Sequence, residues 1–197
     1  GFTVLLHDTA DLKRIAGIKH PVNGVIPHDK KSLTLHSVAY QVSLVGANDN
    51  AIKVADKSIP GYNNYYIGND HTKWASRCKV FQSVTYQNIY PSIDIRYYID
   101  AGNLKYDFIV HPGGDPSRIA MHYEGVNNIS IKEKQLLIKT PVGDIRELRP
   151  YSYQPGSNQR ETISCNYQLK DNIVTFSISS YNKNNTLIID PSIIFCT

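Results

Sequence analysis

Between Tyr90 and Ser117 the chain reads YPSIDIRYYIDAGNLKYDFIVHPGGDPS, which sets Asp94, Arg96, Asp100 and Asp107 among Tyr97, Tyr98 and Tyr106. Carboxylates, a guanidinium and phenols are groups that general acid–base chemistry uses. A glycosidase needs two carboxylates roughly 5–10 Å apart in a cleft. Here it would take the form of a hydrolase or lyase built on Asp94 or Asp107 with Arg96. Glu124, Asp144 and Glu147 are further carboxylates, but no spacing singles out a pair.

Strand register offers a different account of the same residues. A hairpin loop centred on Ala101-Gly102 sets Ile99 opposite Leu104, Tyr97 opposite Tyr106 and Ile95 opposite Phe108, an apolar and aromatic face. On the other face Arg96 falls opposite Asp107, an opposite-charge pair that contributes a few tenths of a kcal/mol. Lys105 then lies opposite Tyr98. This register supplies neither the burial nor the crowding that shifts a carboxylate pKa. Arg96, Asp107, Tyr97 and Tyr106 are therefore expected to be structural, and no catalytic residue is assigned.

Other chemistries lack their signatures. There is no GxSxG elbow and no phosphate-binding GxxxxGK[ST] or GxGxxG. The seven histidines show no HxH or HExxH spacing, and Cys78, Cys165 and Cys196 form no CxxC. No metal or cofactor is expected. The oxygen-rich loops GANDN (Gly46–Asn50) and GNDHT (Gly68–Thr72) read as turns, since Asn and Asp cap their own backbone. Each cysteine sits in an apolar or alternating run and reads as a small buried hydrophobe. A Cys165–Cys196 bridge stays open if their strands are neighbours. Trp74, beside Tyr62, Tyr65 and Tyr66, is the one candidate ligand platform, where exposed rings could stack on a sugar. A buried Trp74 anchoring the core is the favoured alternative.

The elements that must position these residues are mostly strands. Fourteen tyrosines against one Met and one Trp suit half-buried pleated surfaces. Period-2 alternation recurs in SLTLHSVAYQVSLVG (Ser32–Gly46), KVFQSVTYQNIYP, and SRIAMHYEG with Ile119, Met121 and Tyr123 on one face. ISIKEKQLLIKTPVGDIRELRP divides into three short strands, with turns near Lys132–Lys134 and Pro141–Gly143. ISCNYQLKDNIVTFSISSY forms a hairpin about Asp171-Asn172, and TLIIDPSIIFCT bends at Asp190-Pro191. One helix is expected in DTADLKRIAGI, capped by Asp8 or Thr9, with Leu12, Ile15 and Ala16 on a face and Gly17 at its end. The expected fold is all-β, an antiparallel β-sandwich of two packed, twisted sheets forming a single domain over residues 1–197.

With 41% hydrophobic and 19% charged residues, the composition is that of a folded globular chain. Its net charge of +4 is spread, with only the pair Lys30-Lys31 as a basic run, so a nucleic-acid partner is not expected. No apolar run approaches the roughly 20 residues of a membrane span. The N-terminal GFTVLL and C-terminal SIIFCT both read as strands, so the chain is expected to be a segment of a longer precursor.

The ordered string YYIGNDHTKW, VTYQNIYPSIDIRYY, LKYDFIVHPGGDPSRIAMHYEG, LLIKTPVGDIRELRPYSYQ and LIIDPSIIF resembles the domain that precedes SBBP-type β-propeller repeats in secreted and surface proteins of Bacteroidota and other bacteria. The likeness runs from about Tyr40 to the end. Residues 1–39 match loosely, and Asp8–Lys31 resembles a variable insertion. Cys196 stands where relatives would carry Ser. The resemblance implies an extracellular or cell-surface location, a multidomain parent and no assigned catalytic residue. Its implied partners are the downstream domains of the same chain, with glycans or other cell-surface components as further ones.

Overall fold

The computed structural model describes residues 1–19, 34–156 and 159–195. The Lys30-Lys31 pair, His20, His28, Leu33 and the Cys165–Cys196 pairing therefore lie outside the described residues, as does the second half of the Asp8–Lys31 stretch. In chain order the first elements are β1 (Phe2–His7), α1 (Thr9–Lys19), β2 (Ser37–Leu44), β3 (Ile52–Tyr65), β4 (Ala75–Tyr90), β5 (Ile93–Asp100) and β6 (Asn103–Val110). Then come β7 (Met121–Glu124), β8 (Asn128–Lys132), β9 (Gln135–Thr140), β10 (Gly143–Glu147) and β11 (Tyr151–Pro155). The last are β12 (Arg160–Ile163), β13 (Cys165–Lys170), β14 (Ile173–Ile178), β15 (Leu187–Asp190) and β16 (Ile193–Phe195).

The strands form three antiparallel sheets, of order β1-β2-β7-β14-β13, β16-β10-β9-β8 and β12-β11-β15-β6-β5-β4-β3. The five- and seven-stranded sheets face one another across an aromatic core. Tyr106 and Phe108 of β6 meet Phe2 of β1 and Phe176 of β14, with Phe108 and Phe176 edge to face at 5.9 Å. Such pairs contribute about 0.5–1.5 kcal/mol beyond the area they bury. The expected sandwich is present, with the four-stranded sheet as a third wall.

Local chemistry accounts for the hairpins. Ala101-Gly102, Glu133-Lys134 and Asp171-Asn172 all have positive φ at both residues, as two-residue turns matched to strand twist require. The register of β5 on β6 follows, with Tyr97 opposite Tyr106, Ile95 opposite Phe108 and Arg96 opposite Asp107. Ile119, Met121 and Tyr123 are all fully buried, as their alternation requires.

Two boundaries differ from expectation. The helix is capped by the Asp8 carboxylate, which accepts from the Asp11 N–H, but it runs through Gly17 to Lys19. Gly17 has open space around it and a helical backbone, so nothing there forces a stop. The second strand starts at Ser37 rather than Ser32, because Leu35 is exposed and has no pairing partner before Ser37 meets His7.

All three sheets meet at one buried carboxylate. Glu147, at the end of β10 and wholly buried, accepts hydrogen bonds from the phenols of Tyr106 (2.9 Å, β6), Tyr123 (2.8 Å, β7) and Tyr167 (3.4 Å, β13). Burial raises the Glu147 pKa, while the three phenolic donors pull it back down. Burial and the Glu147 charge together push the three phenols well above their usual range.

Removing one donor, as in Tyr106→Phe or Tyr123→Phe, is expected to cost about 1–3 kcal/mol in urea denaturation. Glu147→Ala should cost more than either and combine non-additively with them, because one acceptor serves all three. The folded chain retains phenolic protons that the unfolded chain releases above about pH 10. Fewer protons on the unfolded state means that stability falls as pH rises through that range. Tyrosinate absorbance from these phenols is therefore expected to appear together with unfolding, not before it.

Candidate functional site

Two regions bring together the side chains singled out by sequence, one packed on the sandwich and one held away from it. The first is the outer face of the hairpin β5–β6. Asp94, Arg96, Tyr98, Lys105 and Asp107 alternate onto that face. Arg96 donates to Asp107 Oδ2, and Tyr98 donates to Asp107 Oδ1 at 3.1 Å.

Asp107 is nevertheless only 3% exposed, which corrects the expectation that this face supplies no burial. The neighbouring strand β15 is the reason: it pairs with β6 and extends the same outer face with Ile188 and Asp190. Asp190 has its pKa raised by burial first and by the Asp107 charge next, with Lys105, 3.7 Å away, opposing both. The Tyr98 phenol is likewise raised, by burial and by Asp107. Tyr153 of β11 and Arg160 of β12 complete the wall, with the Arg160 guanidinium 4.5 Å from the Tyr153 ring centroid. The result is an open cavity of about 360 Å³.

Asp94 shares the face but not the cavity. Its carboxylate accepts from the Asn88 N–H at 2.8 Å and meets His111 Nε2 at 3.0 Å, so it organises the irregular end of β4. Tyr97 and Tyr106 point the other way, Tyr106 within the core and Tyr97 packed against it. Of the other carboxylates, Glu147 is the buried junction of the sheets and Glu124 is exposed, with its carboxylate 3.8 Å from His122. Among the described residues no group of three His, Cys, Asp or Glu side chains could hold a metal ion. Cys165 is buried and its thiol is pushed up to about 12 by desolvation, consistent with a small core hydrophobe.

The second region is an arm. Every residue of β3 is exposed, and β4 pairs with β5 only from Ser83 inward. Residues 58–82 thus form a two-stranded ribbon that leaves the sandwich. The eight residues 75–82 of β4 alone span roughly 26 Å at the usual rise. Pro60, Gly61 and register shifts on either side of Tyr62–Asn63 interrupt its free edge, which hinders pairing with another chain.

At the tip Asp70 caps a single 3-10 turn, His71–Lys73, and Trp74 folds back over it. The indole donates to Gly68 O at 3.1 Å and packs on His71 at 3.9 Å and Tyr66 at 5.3 Å between ring centroids. Trp74 is 38% exposed, so the favoured role as a core anchor is corrected: the ring packs on its own loop, far along the ribbon from the sandwich. Tyr66 joins Trp74, whereas the rings of Tyr62 and Tyr65 make no contact with it and are simply exposed.

Sequence reading did not identify β3 as a strand, nor Tyr153, Arg160 and Asp190 as neighbours of the hairpin. Residues 52–65 alternate poorly, with Pro60-Gly61 in the middle. The other three arrive through non-local pairing of β15 with β6 and β11. The Asp190-Pro191 bend was visible, but only as a turn.

Trp74→Ala is expected to change global stability by no more than about 0.5 kcal/mol, as befits an exposed position. Arg96→Ala, which strands a buried carboxylate, should cost about 1–3 kcal/mol in the same denaturation series.

A family model for DUF7948, a domain of unknown function, matches residues 1–192. No curated protein and no solved structure matches the chain. The chain belongs to the DUF7948 family.

Proposed function

We propose that this domain is a non-catalytic structural and interaction module of a bacterial secreted or cell-surface protein, packing against or presenting the repeats that follow it. The observation that carries this reading is the arm. A ribbon with Ile59, Tyr62, Tyr66, Ile67 and Phe81 exposed leaves a well-packed sandwich and gains nothing from it. A two-stranded ribbon is at best marginally stable in isolation. Apolar surface held out in this way serves contact with another body. The resemblance of its motif string to domains that precede SBBP-type repeats supports that setting, and the exposed tip suits an adhesive duty.

Hydrogen exchange tests the reading. Amides of residues 58–82 are expected to exchange fast in the isolated domain and to gain protection when the domain is joined to the segment that follows it in its natural chain. Equal exchange rates in both forms would sink the packing role.

A second reading is favoured by one observation, the exposed indole of Trp74 with Tyr66 beside it: a carbohydrate-binding module that stacks a sugar ring at the arm tip. A glycan array should then show binding by the wild-type domain that Trp74→Ala abolishes. No binding by either would remove this reading.

A further inference from the structure

We infer that the arm tip is a peripheral anchor for an anionic lipid surface: Ile67, Tyr66 and Trp74 enter the headgroup layer, and Arg77 and Lys79 meet its phosphates. The inference rests on reading the arm as a contact surface and names what it contacts. It is contact at the interface, not a span.

Charge points to an anionic partner. Residues 58–82 hold three cations, Lys73, Arg77 and Lys79, against one acid, Asp70, a net +2 of the chain's +4. Asp70 is already answered: its carboxylate accepts from the Thr72 N–H and hydroxyl and lies 3.5 Å from Lys73 Nζ. Arg77 and Lys79 are exposed and have no acidic partner among the described residues. Exposed cations of this kind are drawn to anionic headgroups within a Debye length.

Apolar side chains separate a bilayer from a soluble polymer. Ile67, 77% exposed, is the most exposed large hydrophobic residue among the described ones, and it follows exposed Tyr65 and Tyr66. An aliphatic side chain offers a sugar no aromatic face and a polyanion no hydrogen bond. In a headgroup layer it sinks deepest, with amphipathic Tyr and Trp rings at the level of the headgroups. The ribbon has that order. Tyr66, Ile67 and Trp74 lie beyond the last paired rung, Tyr65 with Ala75, whereas Lys79 is opposite Tyr62 and Arg77 donates its N–H to Asn64. At the usual rise Arg77 stands about 10 Å behind Trp74. Apolar groups lead and cations follow.

The tip also spends its polar groups on itself. The Trp74 indole donates to Gly68 O, and the amides of Thr72, Lys73 and Trp74 donate to Asp70 Oδ1, Asp70 O and His71 O. A turn that satisfies its own donors enters a poorly hydrated layer at low cost. The same donors are not free to read a glycan. Pro60-Gly61 and the register shifts beside it obstruct a peptide strand from adding along β3.

Trp74 is the only tryptophan in the chain, so its emission reports from the tip alone. Vesicles of equimolar phosphatidylcholine and phosphatidylglycerol are expected to shift that emission to the blue and to carry the intact domain up a flotation gradient. Vesicles of phosphatidylcholine alone should bind at least tenfold more weakly. Ile67→Asp, and Arg77→Glu with Lys79→Glu, should each reduce binding to the mixed vesicles at least tenfold. Arg160→Ala, on the sandwich, should leave it unchanged. The lipid dependence of the wild-type protein decides the matter if a variant fails to fold. Soluble polygalacturonate, anionic but without an apolar layer, should leave the emission where it is. The inference is overturned if mixed vesicles neither shift the emission nor carry the domain, or if neutral vesicles bind equally well. It is equally overturned if the domain floats without a Trp74 shift, or if polygalacturonate shifts the emission as vesicles do. Hydrogen exchange in the joined chain involves no lipid, so a negative result here is distinct from a negative result for the packing role.

Discussion

A single carboxylate without a cationic partner holds the three sheets of this domain in register. Ionised or neutral, Glu147 in a dry interior is costly unless its lone pairs are satisfied. Here the satisfaction comes from phenols on β6, β7 and β13, two sheets other than its own. A slip of β10 by one residue would send Glu147 to the opposite face and leave three buried hydroxyls unpaired. The node thereby selects one arrangement of sheets that hydrophobic packing alone, with so many interchangeable Ile, Val and Tyr side chains, would leave loosely specified.

The tyrosine-rich composition acquires a physical meaning from that node. Phenylalanine would fill the same volume, but only tyrosine brings a donor to the end of a buried ring. Tyr106 illustrates the double duty: its ring packs on Phe2 and Phe108, while its hydroxyl reaches Glu147. Stability is consequently concentrated at one end of the molecule. Around Glu147 the strands each bury one face in the core, whereas beyond Ser83 the ribbon has one hydrogen-bonded partner and no core. Local opening should follow that gradient, with the arm at the low end.

Sequence legibility followed the same gradient. Where contacts are local, the reading succeeded: two-residue turns at Ala101-Gly102 and Asp171-Asn172 fixed whole hairpins, and side-chain alternation then assigned faces residue by residue. It failed where partners lie far apart in the chain. Asp107 and Arg96 were correctly paired, but the burial of Asp107 depends on β15, about eighty residues later in the chain. Glu147 stood in the sequence as one carboxylate among several, since nothing local marks it as the acceptor for tyrosines on β6, β7 and β13. The arm was missed because a ribbon exposed throughout needs no alternation, and its Pro60-Gly61 interruption imitates a loop.

The chemistry of the outer face follows from how its charges are already committed. A nucleophile or general acid needs a free oxygen at the reacting atom. Asp107 has none to spare, with one oxygen on Arg96 and the other on Tyr98. Asp94 is likewise occupied by the Asn88 N–H and by His111. Asp190, next along the same face, is set against Lys105 at 3.7 Å. Asp94 and Asp107, the carboxylates a hydrolase would draw on, are thus tied into the packing of β5 against its neighbours.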